Sequence, residues 1–104
     1  MTYCSRDDVK QRLGIPLDDA SVDAEIDAVI SEAKAFIDAK LTGELGQIPF
    51  DESNVPDIIR YACADLAAAF FRARRSPDKR DVFWEMGLEK LDAYIEQMTW
   101  VVKV

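Results

Sequence analysis

The sequence predicts an all-α domain of four to five helices, with one long connecting loop and a short extended C-terminal segment. Three observations carry that expectation. Apolar residues recur three and four positions apart over most of the chain, the spacing of one helix face. Glycine and proline number only four each and fall mostly between the periodic stretches, as punctuation should. Apolar residues make up 49% and charged residues 32% of 104 positions, a balance that folds around one core and argues against disorder. One domain over 1–104 is expected at this length.

The elements follow in order. Ser5 with Asp8 resembles a capping box opening a short helix over about Arg6–Leu13, where Val9 and Leu13 form one apolar edge. Gly14 and Pro16 end it. A second helix is expected over about Ser21–Leu41, on the stripe Val22, Ile26, Val29, Ile30, Ala33, Phe36, Ile37 and Leu41, with Thr42-Gly43 closing it. Residues 44–55 read as a long loop made sticky by Leu45, Ile48 and Phe50, and a loop of this length in a small chain points to a role.

Pro56 suits the first turn of a third helix over about Asp57–Arg75. Its middle, Tyr61 to Phe71, is apolar on nearly every face, so it is expected to be packed on several sides. Asp65 interrupts that run and needs solvent or a partner. Ser76-Pro77 restarts the chain into a fourth helix over about Asp78–Met98. The β-branched tail Trp100–Val104 reads as an extended segment that must pair with the 44–50 loop, another copy or a different protein.

Composition narrows function by exclusion. Histidine is absent, which removes Ser-His-Asp and Cys-His machinery and the usual zinc sites. No phosphate-cradling glycine motif occurs. The acids Asp18, Asp19, Asp23, Glu25 and Asp27 lack the glycine-bent turn of a calcium loop and read as a solvated, dipole-stabilised helix start. Neither a metal nor a cofactor is expected, and no enzymatic activity. Cys4 and Cys63 stand far apart in no CxxC pattern and read as structural thiols in a reducing compartment. The N-terminus lacks a signal-peptide stretch and no run reaches membrane-span length, so a protein made and used inside a cell is expected.

Net charge is −7, and residues 1–54 hold twelve acids against five bases while 55–104 hold eight of each. Such a surface disfavours phosphate backbones and anionic membranes. The only basic cluster, Arg72, Arg74, Arg75, Lys79 and Arg80, suits a helix end or an acidic protein face. Adjacent aromatics at Phe70-Phe71 and Phe83-Trp84 cannot share one helix face; together with the 44–50 loop and the Trp100 tail they give surplus apolar surface, and an oligomer is expected.

In order along the chain come Tyr3-Cys4-Ser5 leading into Asp8-Val9-Lys10, then a long helix ending in Ala33 to Asp38. Ile48-Pro49-Phe50, Val55 to Arg60, and the run Ala62 to Leu66 continuing through Arg72, Arg74 and Arg75 complete the series. In this arrangement the chain resembles the small head–tail connector (adaptor, or head-completion) proteins of tailed bacteriophages and prophages. The resemblance implies a non-enzymatic virion subunit of the neck, made in the host cytoplasm. It would join a homo-oligomeric ring bridging the portal protein and a tail-side connector or stopper, with DNA passing through. For subunit contact the residues singled out are Ile48, Phe50 and Trp100, with Arg72, Arg74 and Arg75 as charged partners. The competing reading is an acidic helical regulatory or scaffolding protein that binds one partner.

Overall fold

The computed structural model describes residues 2–76 and 81–103, with side chains over 2–76 and 81–99. It consists of four helices: α1 (Arg6–Leu13), α2 (Asp23–Leu45), α3 (Asp57–Ala73) and α4 (Val82–Lys103). Among the described residues there is no strand. The α-carbon envelope measures 47 × 31 × 17 Å, a flattened and elongated shape.

Helix α3 is the axis of the fold and touches α1, α2 and α4. Its sequence explains this position. Ala62, Cys63, Ala64, Leu66, Ala67, Ala68 and Ala69 are buried around its circumference, and their short side chains let three neighbours approach. Against them α2 contributes Ile26, Val29, Ile30, Ile37 and Leu41, all buried, and α1 contributes Val9. Burying each large aliphatic side chain is worth roughly 1.5–3 kcal/mol. Helix α4 runs antiparallel to α3, since Gly87 meets Leu66 and Ala62 while Trp84 stacks beside Phe70 further along α3. At Gly87 an added Cβ would lie 2.8 Å from Leu66 Cγ and 3.3 Å from the Ala62 carbonyl, so the close α3–α4 approach requires glycine there.

The helix starts and stops have identifiable causes. The expected capping box forms at α1: Ser5 accepts from the Asp8 N–H, and the Asp8 carboxylate accepts from the Ser5 N–H. Gly14 at φ 71 closes the helix in the left-handed region. Helix α2 does not stop at Thr42-Gly43 but continues to Leu45, ending on Gly46 at φ 78. An interior glycine costs only about 1 kcal/mol relative to alanine, and half-buried Leu45 packing on the core offsets it. Asp81 caps α4 by accepting from the Phe83 N–H at 2.8 Å. The expected first-turn proline at Pro77 and the expected first residues of the fourth helix, 78–80, lie outside the described residues.

The C-terminal expectation is corrected. Residues 100–103 continue α4 as helix rather than forming an extended segment. Nothing between Val82 and Lys103 breaks the helix except a single glycine, and propagating a helix by one residue is easy once it is nucleated. The weak helical preference of Val101 and Val102 is overridden.

Candidate assembly surface

The residues singled out from the sequence divide into two groups at opposite ends of α3. At its C-terminal end stand Arg72, Arg74 and Arg75. Phe50 and Ile48 belong to the loop that precedes its N-terminal end. Trp100 falls on the last turns of α4, which runs back toward that same end, and its side chain lies outside the described residues.

At the C-terminal end the arginines are held by α2. Arg75 grips Glu25 with two bonds of 2.9 Å, and Arg74 donates to Glu32 at 2.6 Å. Beside Arg75 the carboxyl of Glu25 is held below its usual range. Arg75 also lies 3.9 Å over the Phe71 ring. Arg72 sits over Phe83 at 5.4 Å and reaches Asp81 at 3.5 Å. Arg72 and Arg75 wall a cavity of about 630 Å³ with Leu13, Ile15 and Val82. Val82 is 57% exposed and Met86 39%, so the first turns of α4 leave large apolar side chains uncovered.

The loop end is built differently. Phe50 is half-buried between Tyr3, centroid to centroid 5.6 Å, and Tyr94 at 6.0 Å. This edge-to-face chain ties the loop to the N-terminal segment and to α4. Beside it the Tyr3 hydroxyl donates to Asp38, and Lys34 joins Asp38 at 2.9 Å and Glu52 at 3.1 Å. Burial, reinforced by the Asp38 carboxylate, pushes the Tyr3 phenol up. Ile48, three residues after the end of α2, stays exposed, and a second cavity of about 520 Å³ opens between Phe50, Pro56, Ile58, Tyr94 and Met98.

The adjacent aromatics do split between faces, yet both members of each pair find partners. Phe70 and Trp84 form a cluster with Phe36 at centroid distances of 5.3–6.4 Å, while Phe71 is buried and Phe83 lies under Arg72. Among the described residues the large apolar side chains left uncovered are Leu17, Ile48, Tyr61, Val82 and Met86, of which Ile48 belongs to the loop expected to be sticky.

The acidic N-terminal half is also partly neutralised within the chain. Arg6 binds Asp27 through two bonds of 2.8 and 2.7 Å, and its guanidinium holds that carboxyl below the usual range. Asp19 accepts from the Ser21 hydroxyl and N–H. Buried Lys10 brings its ammonium to 2.8 Å from Asp23 Oδ1, an ion pair off the donor line, and donates to the Leu17 carbonyl. Among the described residues no group of three or more His, Cys, Asp or Glu side chains converges as a metal site.

Two arrangements escaped the sequence reading. Asp65, 1% exposed, accepts from Arg12 Nε and from Lys90 Nζ, each at 2.5 Å, tying α1 and α4 to the centre of α3. Its isolation in an apolar run signalled that a partner was needed, but not which of thirteen bases supplies it. The second is the approach of Cys4 to Cys63, for which no sequence spacing gives a hint.

The arrangement consists of paired charges, two open cavities and dispersed apolar side chains. A family model described as phage gp6-like head-tail connector protein matches residues 6–86, which include all of α1, α2 and α3 and the first turn of α4. No curated protein and no solved structure matches the chain.

Proposed function

The chain belongs to the phage gp6-like head-tail connector family, and from that membership we propose that its copies close into a ring between the portal and the tail. As a family member it is a structural component of the phage head–tail junction and works through protein–protein assembly. The finer reading concerns geometry and partners. In it, about a dozen copies meet through a heterologous interface that closes by rotation, bridging the portal protein and a tail-side connector or stopper in the virion neck. Synthesis in the bacterial host cytoplasm belongs to the same reading, as does one domain over the whole chain.

The observation that carries it is the family match over α1–α3, which supply most of the core. The shape supports it, because a slab 17 Å thick presents broad faces to neighbours on either side. So does the placement of uncovered apolar side chains at both ends of α3, where a neighbour in a head-to-tail ring needs two different patches. Subunit contact is ascribed to Ile48, Phe50 and Trp100 at one end and to Arg72, Arg74 and Arg75 at the other. Net charge of −7 lets DNA pass without adhering. No helix among the described residues is long and apolar enough to cross a membrane.

Light scattering over a concentration series, with negative-stain imaging, tests the ring alone and after addition of purified portal protein. Closed rings in either condition support the reading. A chain that stays monomeric and does not bind the portal overturns it.

A further inference from the structure

Cys4 and Cys63 stand 59 residues apart in sequence, yet their sulfurs are 3.3 Å apart, joined as hydrogen-bonded thiols. Both are free and buried. Cys63 is fixed at the centre of α3, whereas Cys4 belongs to the segment before α1 and lies outside helical hydrogen bonding. A disulfide requires sulfurs about 2.05 Å apart, so bond formation asks for little more than an ångström of closure, which the non-helical segment supplies. Among the described residues no third ligand accompanies the pair, and the chemistry it offers is that of two thiols.

We propose that Cys4 and Cys63 are a conditional disulfide site that covalently pins the N-terminal segment to the middle of α3. With a small-molecule disulfide such as oxidised glutathione as oxidant, one cysteine thiolate attacks a glutathione sulfur and expels one reduced glutathione. The other cysteine thiolate then attacks the mixed disulfide at the protein sulfur and expels the second. The protein loses two protons and two electrons, and the oxidant takes them up to become two thiols. In a reducing compartment the pair persists as dithiol; in an oxidising one it closes.

The closed core protects the reduced pair. The Cys63 contact, then burial, push the Cys4 thiol up, so little thiolate is available while the segment is seated. Tyr3 holds it there through its bond to Asp38 on α2, while the Thr2 hydroxyl, donating to the Cys4 carbonyl, braces the segment internally. Exchange therefore proceeds through release of residues 2–5, or during folding. Once formed, the link restricts a long loop of the unfolded chain, which raises the thermal midpoint by about 10 °C.

The test refolds the full chain from denaturant in glutathione buffers of increasing oxidation, so that burial does not limit access. Alkylation, intact mass and peptide mapping then read the products. The expected result is loss of both free thiols and two hydrogens, a peptide joining Cys4 to Cys63 within one chain, and a midpoint raised by about 10 °C over the reduced protein. Cys4→Ala and Cys63→Ala, lacking the second thiolate, form no link within the chain under the same conditions and stop at the free thiol or its glutathione adduct. Free thiols at the most oxidising ratio, links only between chains, or a cross-linked chain melting no higher than the reduced one would each overturn the proposal. None of these readouts depends on whether rings form.

Discussion

The middle and the C-terminal end of α3 use the same chemistry, a carboxylate held by cations, under opposite degrees of burial. In the middle, Asp65 is 1% exposed and bridges Arg12 and Lys90 from two other helices. At the end, Arg74 and Arg75 reach Glu32 and Glu25 in open solvent. A buried carboxylate has surrendered its hydration and depends on its partners, while an exposed pair exchanges with water at little cost. The difference teaches where charge holds this fold together and where it remains free for a second protein.

The largest expected effect therefore lies at Asp65. Asp65→Asn keeps the shape but leaves Arg12 and Lys90 without a counter-charge in a site built around one. Breaking a buried pair costs about 3–5 kcal/mol, and the partial exposure of both cations places this case near about 3 kcal/mol. Urea unfolding measures it. A loss below about 1 kcal/mol would put the middle of α3 on the same footing as its end and dissolve the contrast.

Asp8 is the intermediate case. Its carboxylate caps α1 and takes two bonds from Arg60, at 3.0 and 2.9 Å. Chiefly through Arg60, with help from Ser5 and against burial, its pKa is lowered to about 2. A depressed folded-state pKa means stability that is present above the ordinary value of 3.8 and is lost as pH falls toward about 2. The shift corresponds to about 2 kcal/mol at neutral pH. Asp8→Asn is expected to be less stable by that amount at pH 7 and to converge with the unsubstituted chain as pH falls from about 4 to 2. A constant gap over that range would locate the effect in the helix cap rather than in the Arg60 pair.

Gly87→Ala separates packing from charge within the same seam. Alanine gains about 1 kcal/mol of helix propensity over glycine, but its Cβ meets Leu66 Cγ, which is not the free end of a side chain, and the Ala62 carbonyl. Overpacking of this kind costs about 1–3 kcal/mol, so a net loss of about 1 kcal/mol is expected by urea unfolding. A gain in stability would mean that α3 and α4 can part slightly, and that Asp65 rather than the alanine seam sets their spacing.

What was legible in the sequence follows the same division. The four helices, the Ser5–Asp8 cap and the buried character of α3 were readable because periodicity and capping are local, and Asp65 was visible as an anomaly. The Arg12 and Lys90 partners were not, since they arrive from α1 and α4 through tertiary packing. The tail was misread for a related reason: Val101 and Val102 prefer extended backbone locally, but the helix that precedes them carries them along. Surface apolarity was expected from the aromatic pairs, the 44–50 loop and the Trp100 tail; among the described residues Ile48 of that loop is exposed, while Val82 and Met86 rather than the aromatic pairs supply it at the other end. Paired aromatics divide between two faces, and here each face finds Phe36 or an arginine stem to cover it.

The smallest expected effect on stability is the one most informative about assembly. Arg74→Ala with Arg75→Ala removes the contacts to Glu25 and Glu32, which lie in solvent and are screened by salt. The urea midpoint is expected to stay within error of the unsubstituted chain. If this end of α3 meets a neighbour in the ring, the same substitution uncovers Glu25 and Glu32 and removes two donors, so assembly weakens while the fold is unchanged. Solution mass alone and in the presence of portal protein reads that split. Equal assembly by the double variant would shift the charged half of the contact to Arg72, which leans on Phe83 and Asp81 at the mouth of the larger cavity.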